Sequence, residues 1–128
     1  MTEYYIPTGP GDAEYVEKRS RFLGKVRHVE SEEEARAQGL NVTIAKLPAA
    51  AIPRARLLGE TSGLLKAVAD ADSGAILGCA LHCADAGEMI NTVTAAMRAG
   101  QNSAFLRDMI YTHPSMTEAL NDLFGQIS

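Results

Sequence analysis

The residues best suited to chemistry lie in the stretch Tyr111-Thr112-His113-Pro114-Ser115-Met116-Thr117-Glu118. A histidine stands directly before a proline, and a glutamate follows five residues later. A carboxylate that bonds to one ring nitrogen fixes the tautomer of the imidazole and makes it a better base near neutral pH. The pattern therefore predicts a proton-handling pair, with His113 as the acid/base and Glu118 as its partner.

The same stretch also has a purely structural interpretation. Ser115 and Glu118 form the pattern S-x-x-E, in which the two side chains satisfy the free amides at the start of a helix. Pro114 disfavours helical geometry at His113, so a preceding helix has to end before it. At this point the sequence leaves both interpretations open, because a capped helix start needs no catalytic role.

Cys79 and Cys83 invite a redox or metal hypothesis that spacing can test. If one strand runs through both, their Cα atoms lie about 13 Å apart at roughly 3.3 Å per residue, too far for a disulfide. Their C-x3-C spacing also differs from common zinc motifs, and His82 falls on the opposite face of the strand. We therefore interpret both cysteines as small buried hydrophobic residues and predict no metal site.

Apolar periodicity and turn residues predict the elements that position these groups. Strands are predicted over 20–29, 41–47, 54–58, 63–69 and 75–82, and helices over 31–39, 85–100, 103–110 and 115–125. The segment 54–58 is expected to be an edge strand, and Asp85 is expected to cap its helix with Glu88 reciprocating. The result is an α+β fold with a mainly antiparallel sheet of four to five strands and helices packed on one side.

Bulk properties narrow the classes of function. The chain has 128 residues, enough for one domain, and a net charge of -4, which argues against a nucleic-acid partner. No apolar run is long enough to span a bilayer and no signal core opens the chain, so a soluble, cytoplasmic protein is expected. No G-x-G-x-x-G follows a strand, so neither FAD nor NAD(P)H has a recognisable site.

Four short motifs carry a resemblance to a known family. They are Gly59-Glu60-Thr61-Ser62-Gly63-Leu64-Leu65-Lys66, Gly74-Ala75-Ile76-Leu77-Gly78, Glu88-Met89-Ile90-Asn91 and His113-Pro114-Ser115-Met116-Thr117-Glu118-Ala119-Leu120. In this order and at about this spacing, they resemble the C-terminal interface (dimerisation) domain of the pyridine nucleotide-disulfide oxidoreductases, the family of glutathione reductase, dihydrolipoamide dehydrogenase and mercuric reductase. The resemblance runs from about Leu47 to Phe124.

The resemblance implies a homodimer formed through the sheet and the C-terminal helices. It implies that His113 reaches the flavin site of the partner subunit and exchanges a proton with a thiol, while Glu118 orients its ring. The His113-Pro114 backbone, with a cis bond, would lie near the partner's flavin. Full-length members use FAD and NAD(P)H, and the resemblance places the flavin, nucleotide and redox-cysteine parts in other domains, so this chain alone is expected to bind no cofactor.

The N-terminal part resembles a different family. Tyr4-Tyr5-Ile6-Pro7 and Glu17-Lys18-Arg19-Ser20-Arg21-Phe22-Leu23-Gly24 are similar to the start of the Impact (YigZ-like) family, which is linked to translational regulation. We therefore divide the chain into an Impact-like segment, residues 1–30, that supplies a first strand, and a dimerisation domain, residues 31–128. The strand predicted near residues 20–29 would take the sheet position of the reductases' own strand.

The leading hypothesis is an isolated or grafted dimerisation domain of a flavin-dependent pyridine nucleotide-disulfide oxidoreductase. It would carry the His113 and Glu118 pair but would not be a complete enzyme, and the flavin and nucleotide domains of a parent enzyme would be its partners. The alternative is an Impact-type translational regulator or a fusion protein without independent activity.

Overall fold

A computed structural model describes residues 4–7, 15–17, 23–27, 39 and 41–127. The predicted helix 31–39 and His28 lie outside the described residues, apart from Gly39. Two short strands, β1 (Tyr4–Pro7) and β2 (Tyr15–Glu17), pair antiparallel in a small sheet of their own. The sequence predicts no strand before residue 20.

The main sheet contains three antiparallel strands that are neighbours both in sequence and in the sheet. They are β4 (Val42–Pro48), β5 (Leu64–Asp70) and β6 (Ile76–His82), and β3 (Leu23–Arg27) pairs with the outer edge of β6. The hairpin predicted between residues 63 and 82 is present, and the α+β class and antiparallel pairing are confirmed. Buried residues alternate with half-buried or exposed ones along β5 and at most positions of β6, which is the pattern of strands with one covered face.

The register places the small apolar residues in rows on the covered face. Ala45 pairs with Ala67 and Ala67 with Cys79, while Leu65 pairs with Leu81. All five are buried in the core. The alternate positions, such as Lys46 opposite Lys66, lie on the other face, as the two-residue period of a strand requires.

Besides the short 3-10 helix at Ala49–Ala51, the structure describes four α-helices. They are α1 (Pro53–Leu58), α2 (Ala86–Arg98), α3 (Ser103–Asp108) and α4 (Ala119–Phe124). Helix α2 packs on β3 and β6, α4 packs on β4 and β5, and α3 packs against α4. The buried stripe on α2, with Met89, Val93 and Ala96 at helical spacing, is the one that the sequence predicts.

The edge strand predicted over 54–58 is wrong, because these residues form helix α1. Pro53 occupies the start of the helix, where its fixed φ is favourable and its missing N–H is not needed. Ala55 is buried, and Arg56 donates through Nη1 to the Ala50 carbonyl at 3.1 Å.

Two details of the other helices also differ from prediction. Asp85 does precede α2, but its φ of 58° puts it in the left-handed region, and its side chain makes no capping hydrogen bond. Helix α3 is capped by the side chain of Asn102 and ends at Asp108, so Ile110 is not on its apolar face and is 97% exposed.

Gly63 is required by a close backbone approach at the start of β5. Its φ is 120°, and a Cβ built there would lie 1.8 Å from the carbonyl oxygen of His82. Neither the backbone angle nor the space would accept a side chain. This glycine therefore fixes how the central hairpin begins.

Candidate functional site

The candidate site is built on the connection between α3 and α4. The chain leaves α3 after Asp108, runs through an irregular segment, and contains a cis peptide bond between His113 and Pro114. A turn from Ser115 to Glu118 then leads into α4. The proline stops any continuation of helical geometry, and the buried residues of α4 anchor the turn to the sheet.

The structure brings His113 and Glu118 together. Nδ1 of His113 lies 2.8 Å from each carboxylate oxygen of Glu118. The histidine side chain is 67% exposed and that of the glutamate 20%. A carboxylate only accepts hydrogen bonds, so the neutral ring carries its proton on Nδ1 and keeps a free lone pair on Nε2.

Ser115 holds the carboxylate in place and also caps the turn. Its main-chain N–H donates to Oε2 of Glu118 at 2.9 Å, and its Oγ accepts from the Glu118 N–H at 3.2 Å. These are the two bonds of the predicted capping box, but the α-helix begins only at Ala119 and not at residue 115, so the structural interpretation holds for the turn before α4 rather than for the first turn of the helix. It does not exclude the chemical one, because the same carboxylate bonds to the imidazole.

The electrostatics of Glu118 follow from these contacts. The Ser115 N–H, and after it the hydrogen bond with His113, hold the pKa of the Glu118 carboxyl below its ordinary value, against the opposing effect of partial burial. The carboxylate is therefore ionised at neutral pH, as a group that orients an imidazole and stabilises its protonated form needs to be.

Several hydrogen bonds around the pair were not anticipated from the sequence. Ser115 Oγ donates to the Thr112 carbonyl at 2.5 Å, and Tyr111 donates through its hydroxyl to the Leu106 carbonyl at 2.8 Å. Burial raises the pKa of Tyr111 to about 12, so its hydroxyl stays protonated and able to donate. Asn121, on α4, donates to two carbonyls of the preceding segment.

The cysteines have the character expected of core residues. Both are free and buried, and Cys83 Sγ lies 3.6 Å from Met89 Sδ. Burial raises the pKa of both thiols, that of Cys83 to about 12, and the Asp85 charge adds to the effect on Cys83. Among the described residues, no three His, Cys, Asp or Glu side chains are grouped to hold a metal ion.

The part of the chain that the structure describes contains no helix of the length and apolarity needed to cross a bilayer.

Comparison with known proteins identifies the family. Residues 30–124 match the model of the pyridine nucleotide-disulphide oxidoreductase dimerisation domain. The chain belongs to this dimerisation-domain family. The match includes both His113 and Glu118, and it favours this assignment over the translational regulator.

Relatives and solved structures support the same conclusion. The probable pyridine nucleotide-disulfide oxidoreductase RclA of Escherichia coli is 50% identical over 97 residues, which cover 76% of this chain and 22% of RclA. Dihydrolipoyl dehydrogenase of Zymomonas mobilis is 40% identical over 92 residues, which cover 72% of this chain and 20% of that enzyme. The chain thus spans about a fifth of the length of these relatives.

The fold agrees with that of the solved HOCl-induced flavoprotein disulfide reductase RclA from Escherichia coli. The TM-score is 0.78 at 47% identity, over 83% of this chain and 24% of RclA. LpdA from Mycobacterium tuberculosis has the same fold, with a TM-score of 0.73 at 16% identity. The dimerisation-domain architecture is therefore present in this chain.

Proposed function

We propose that this chain acts as the dimerisation domain of a flavin-dependent pyridine nucleotide-disulfide oxidoreductase and supplies the acid/base pair His113 and Glu118 to the active site of the partner subunit. The observation that carries the proposal is the exposed His113 ring, whose Nδ1 lies 2.8 Å from both oxygens of an anchored carboxylate. Within the described residues, its Nε2 makes no hydrogen bond, so that nitrogen is open to a substrate.

In this proposal Nε2 removes the proton from a substrate thiol and later returns it to a departing thiolate. The imidazolium formed in between is stabilised by the ionised Glu118, whose own position is fixed by the Ser115 N–H. FAD and NAD(P)H would supply the electrons from the other domains of the parent enzyme. The residues of this chain would hold and move the proton only.

The residues of this chain fit a position beside a flavin that another domain binds, and they do not themselves form a flavin site. His113 and Pro114 are both exposed, so their backbone and the ring are open to another polypeptide. The chain's own sequence has no dinucleotide-binding glycine motif, which leaves the cofactors to the domains that the longer relatives also contain.

We further propose that the partner is a second copy of the chain, bound through the sheet and the C-terminal helices. Ile110 and Phe105, 97% and 42% exposed, are large apolar side chains close in sequence to His113, and a subunit contact would cover them.

The family match that begins at residue 30 supports a boundary there between the dimerisation domain and the N-terminal segment.

A chimaeric reductase tests the proposal. Residues 30–124 would replace the matching region of Escherichia coli RclA, and NAD(P)H-dependent disulfide reduction would be measured. Because general acid/base groups typically contribute a factor of about 10² to 10⁴, His113→Gln should lower kcat by roughly a hundredfold or more while flavin absorbance is retained. An active chimaera whose rate is unchanged by His113→Gln would contradict the proposed role.

A further inference from the structure

The relative position of His113 and Glu118 depends on how two different segments are joined. His113 lies on the irregular connection that follows α3, whereas Glu118 immediately precedes α4. Four residues, Pro114 to Thr117, lie between them. The contact between the two side chains therefore depends on bonds that hold this connection against α4.

The carbonyl groups at the C-terminal end of α3 are available for such bonds. The last carbonyls of any helix have no partner within the helix and must be satisfied from elsewhere. In α3 the Leu106 carbonyl accepts from the Tyr111 hydroxyl, at 2.8 Å. That bond closes a loop within the connection itself and does not reach α4.

Asn121 makes the link between the two segments. Its side-chain Nδ2 donates to the Arg107 carbonyl at 2.8 Å and to the Met109 carbonyl at 2.9 Å, which uses both N–H groups of the amide. Its main-chain N–H donates to the Glu118 carbonyl at 3.0 Å. One residue therefore bonds the backbone of Glu118 and the backbone that leads to His113.

We infer that Asn121 is a positioning residue for the His113 and Glu118 pair. The catalytic relevance of this inference rests on the proposed function, whereas the hydrogen bonds of Asn121 do not depend on it. Asn121 is half-buried, and its amide is the hydrogen-bond partner of two carbonyls at and just after the end of α3. Ser115 bonds the turn to Thr112, the residue before His113, whereas Asn121 bonds α4 to the end of α3.

The test is the tautomer of His113, measured in the full 128-residue chain by long-range ¹⁵N–¹H correlation at a pH where the ring is neutral. His113→Gln assigns the signal among the three histidines, and Glu118→Ala defines the tautomer mixture without the carboxylate. In the unsubstituted chain Nδ1–H should predominate. In Asn121→Ala the population of Nδ1–H should fall toward that of Glu118→Ala.

Asn102→Ala is the matched control, because Asn102 accepts from the Phe105 N–H at the opposite end of the same helix. It should leave the His113 tautomer unchanged. Asn121→Ser retains one hydrogen-bonding group and should give an intermediate tautomer population, which keeps the test usable if Asn121→Ala does not fold. An unchanged tautomer in the Asn121 variants, or an equal change in Asn102→Ala, would overturn the inference.

The two proposals fail in different ways. If His113 plays no part in catalysis, the chimaera retains its rate in His113→Gln even though Asn121→Ala still alters the tautomer. If Asn121 does not position the pair, the tautomer is unaffected by its replacement whatever the rate of the chimaera.

Discussion

Two regions of the molecule contain side chains that can do chemistry, and they differ in how they are surrounded. The sulfur group, defined as Cys79, Cys83 and Met89, is buried among apolar residues. The imidazole segment, residues 111–118, presents an exposed ring against an anchored carboxylate. Burial raises the pKa of both thiols and so disfavours the reactive thiolate, whereas the imidazole is exposed beside an ionised carboxylate. Residue type alone does not separate the two regions.

Thiol reactivity should show the largest contrast. Burial raises the pKa of Cys83 from its ordinary value of 9.0 to about 12, so little thiolate exists near neutral pH. Modification by a disulfide reagent at pH 8 should be at least about a hundredfold slower in the folded chain than in urea, since the thiolate is the reactive form. Rapid reaction of either cysteine in the folded chain would contradict this comparison.

The sulfur group should contribute more to stability than the imidazole segment, although the imidazole segment is the one proposed to act in catalysis. Met89 has no exposed surface and contacts Cys83, so Met89→Ala should lower the free energy of unfolding by about 2 to 5 kcal/mol. His113→Ala removes a largely exposed ring and its hydrogen bond to a half-buried carboxylate, and should cost only about 0 to 1 kcal/mol. Urea denaturation measures both, and equal losses would show that the two regions are not distinct.

A smaller effect should appear in the pH dependence of stability. The pKa of Glu118 is lowered from 4.5 in the folded chain, so its carboxylate stabilises the fold above the unfolded pKa. This contribution is lost as the pH falls through the folded pKa. The difference in unfolding free energy between the unsubstituted chain and Glu118→Gln should shrink as the pH falls below about 4.5. A difference in unfolding free energy that grows over this acid range would contradict the predicted sign.

The sequence predicts those parts of the fold that local patterns specify. The central hairpin follows from alternating apolar residues around the turn Asp70–Gly74, and α2 follows from its apolar stripe. The errors come from residues with two possible roles. Pro53 stops a strand but also starts a helix, and Asp85 resembles a cap although its left-handed backbone prevents the capping bond.

The site is only partly readable from the sequence. The contact between His113 and Glu118 follows from their spacing and from the family resemblance. Asn121 gives no such signal, because its two carbonyl partners lie 12 and 14 residues away and depend on the packing of α3 against α4. An asparagine within a short helix becomes informative only when the tertiary structure shows what it bonds.

The most direct test of the central claim is complementation between two inactive forms of the chimaeric reductase. One subunit carries His113→Gln, and the other lacks the redox cysteines of its flavin domain. If His113 serves the partner's active site, the mixed dimer contains one complete site and should recover disulfide reduction that neither homodimer shows. A mixed dimer that forms, retains flavin and remains as inactive as both homodimers would contradict the claim.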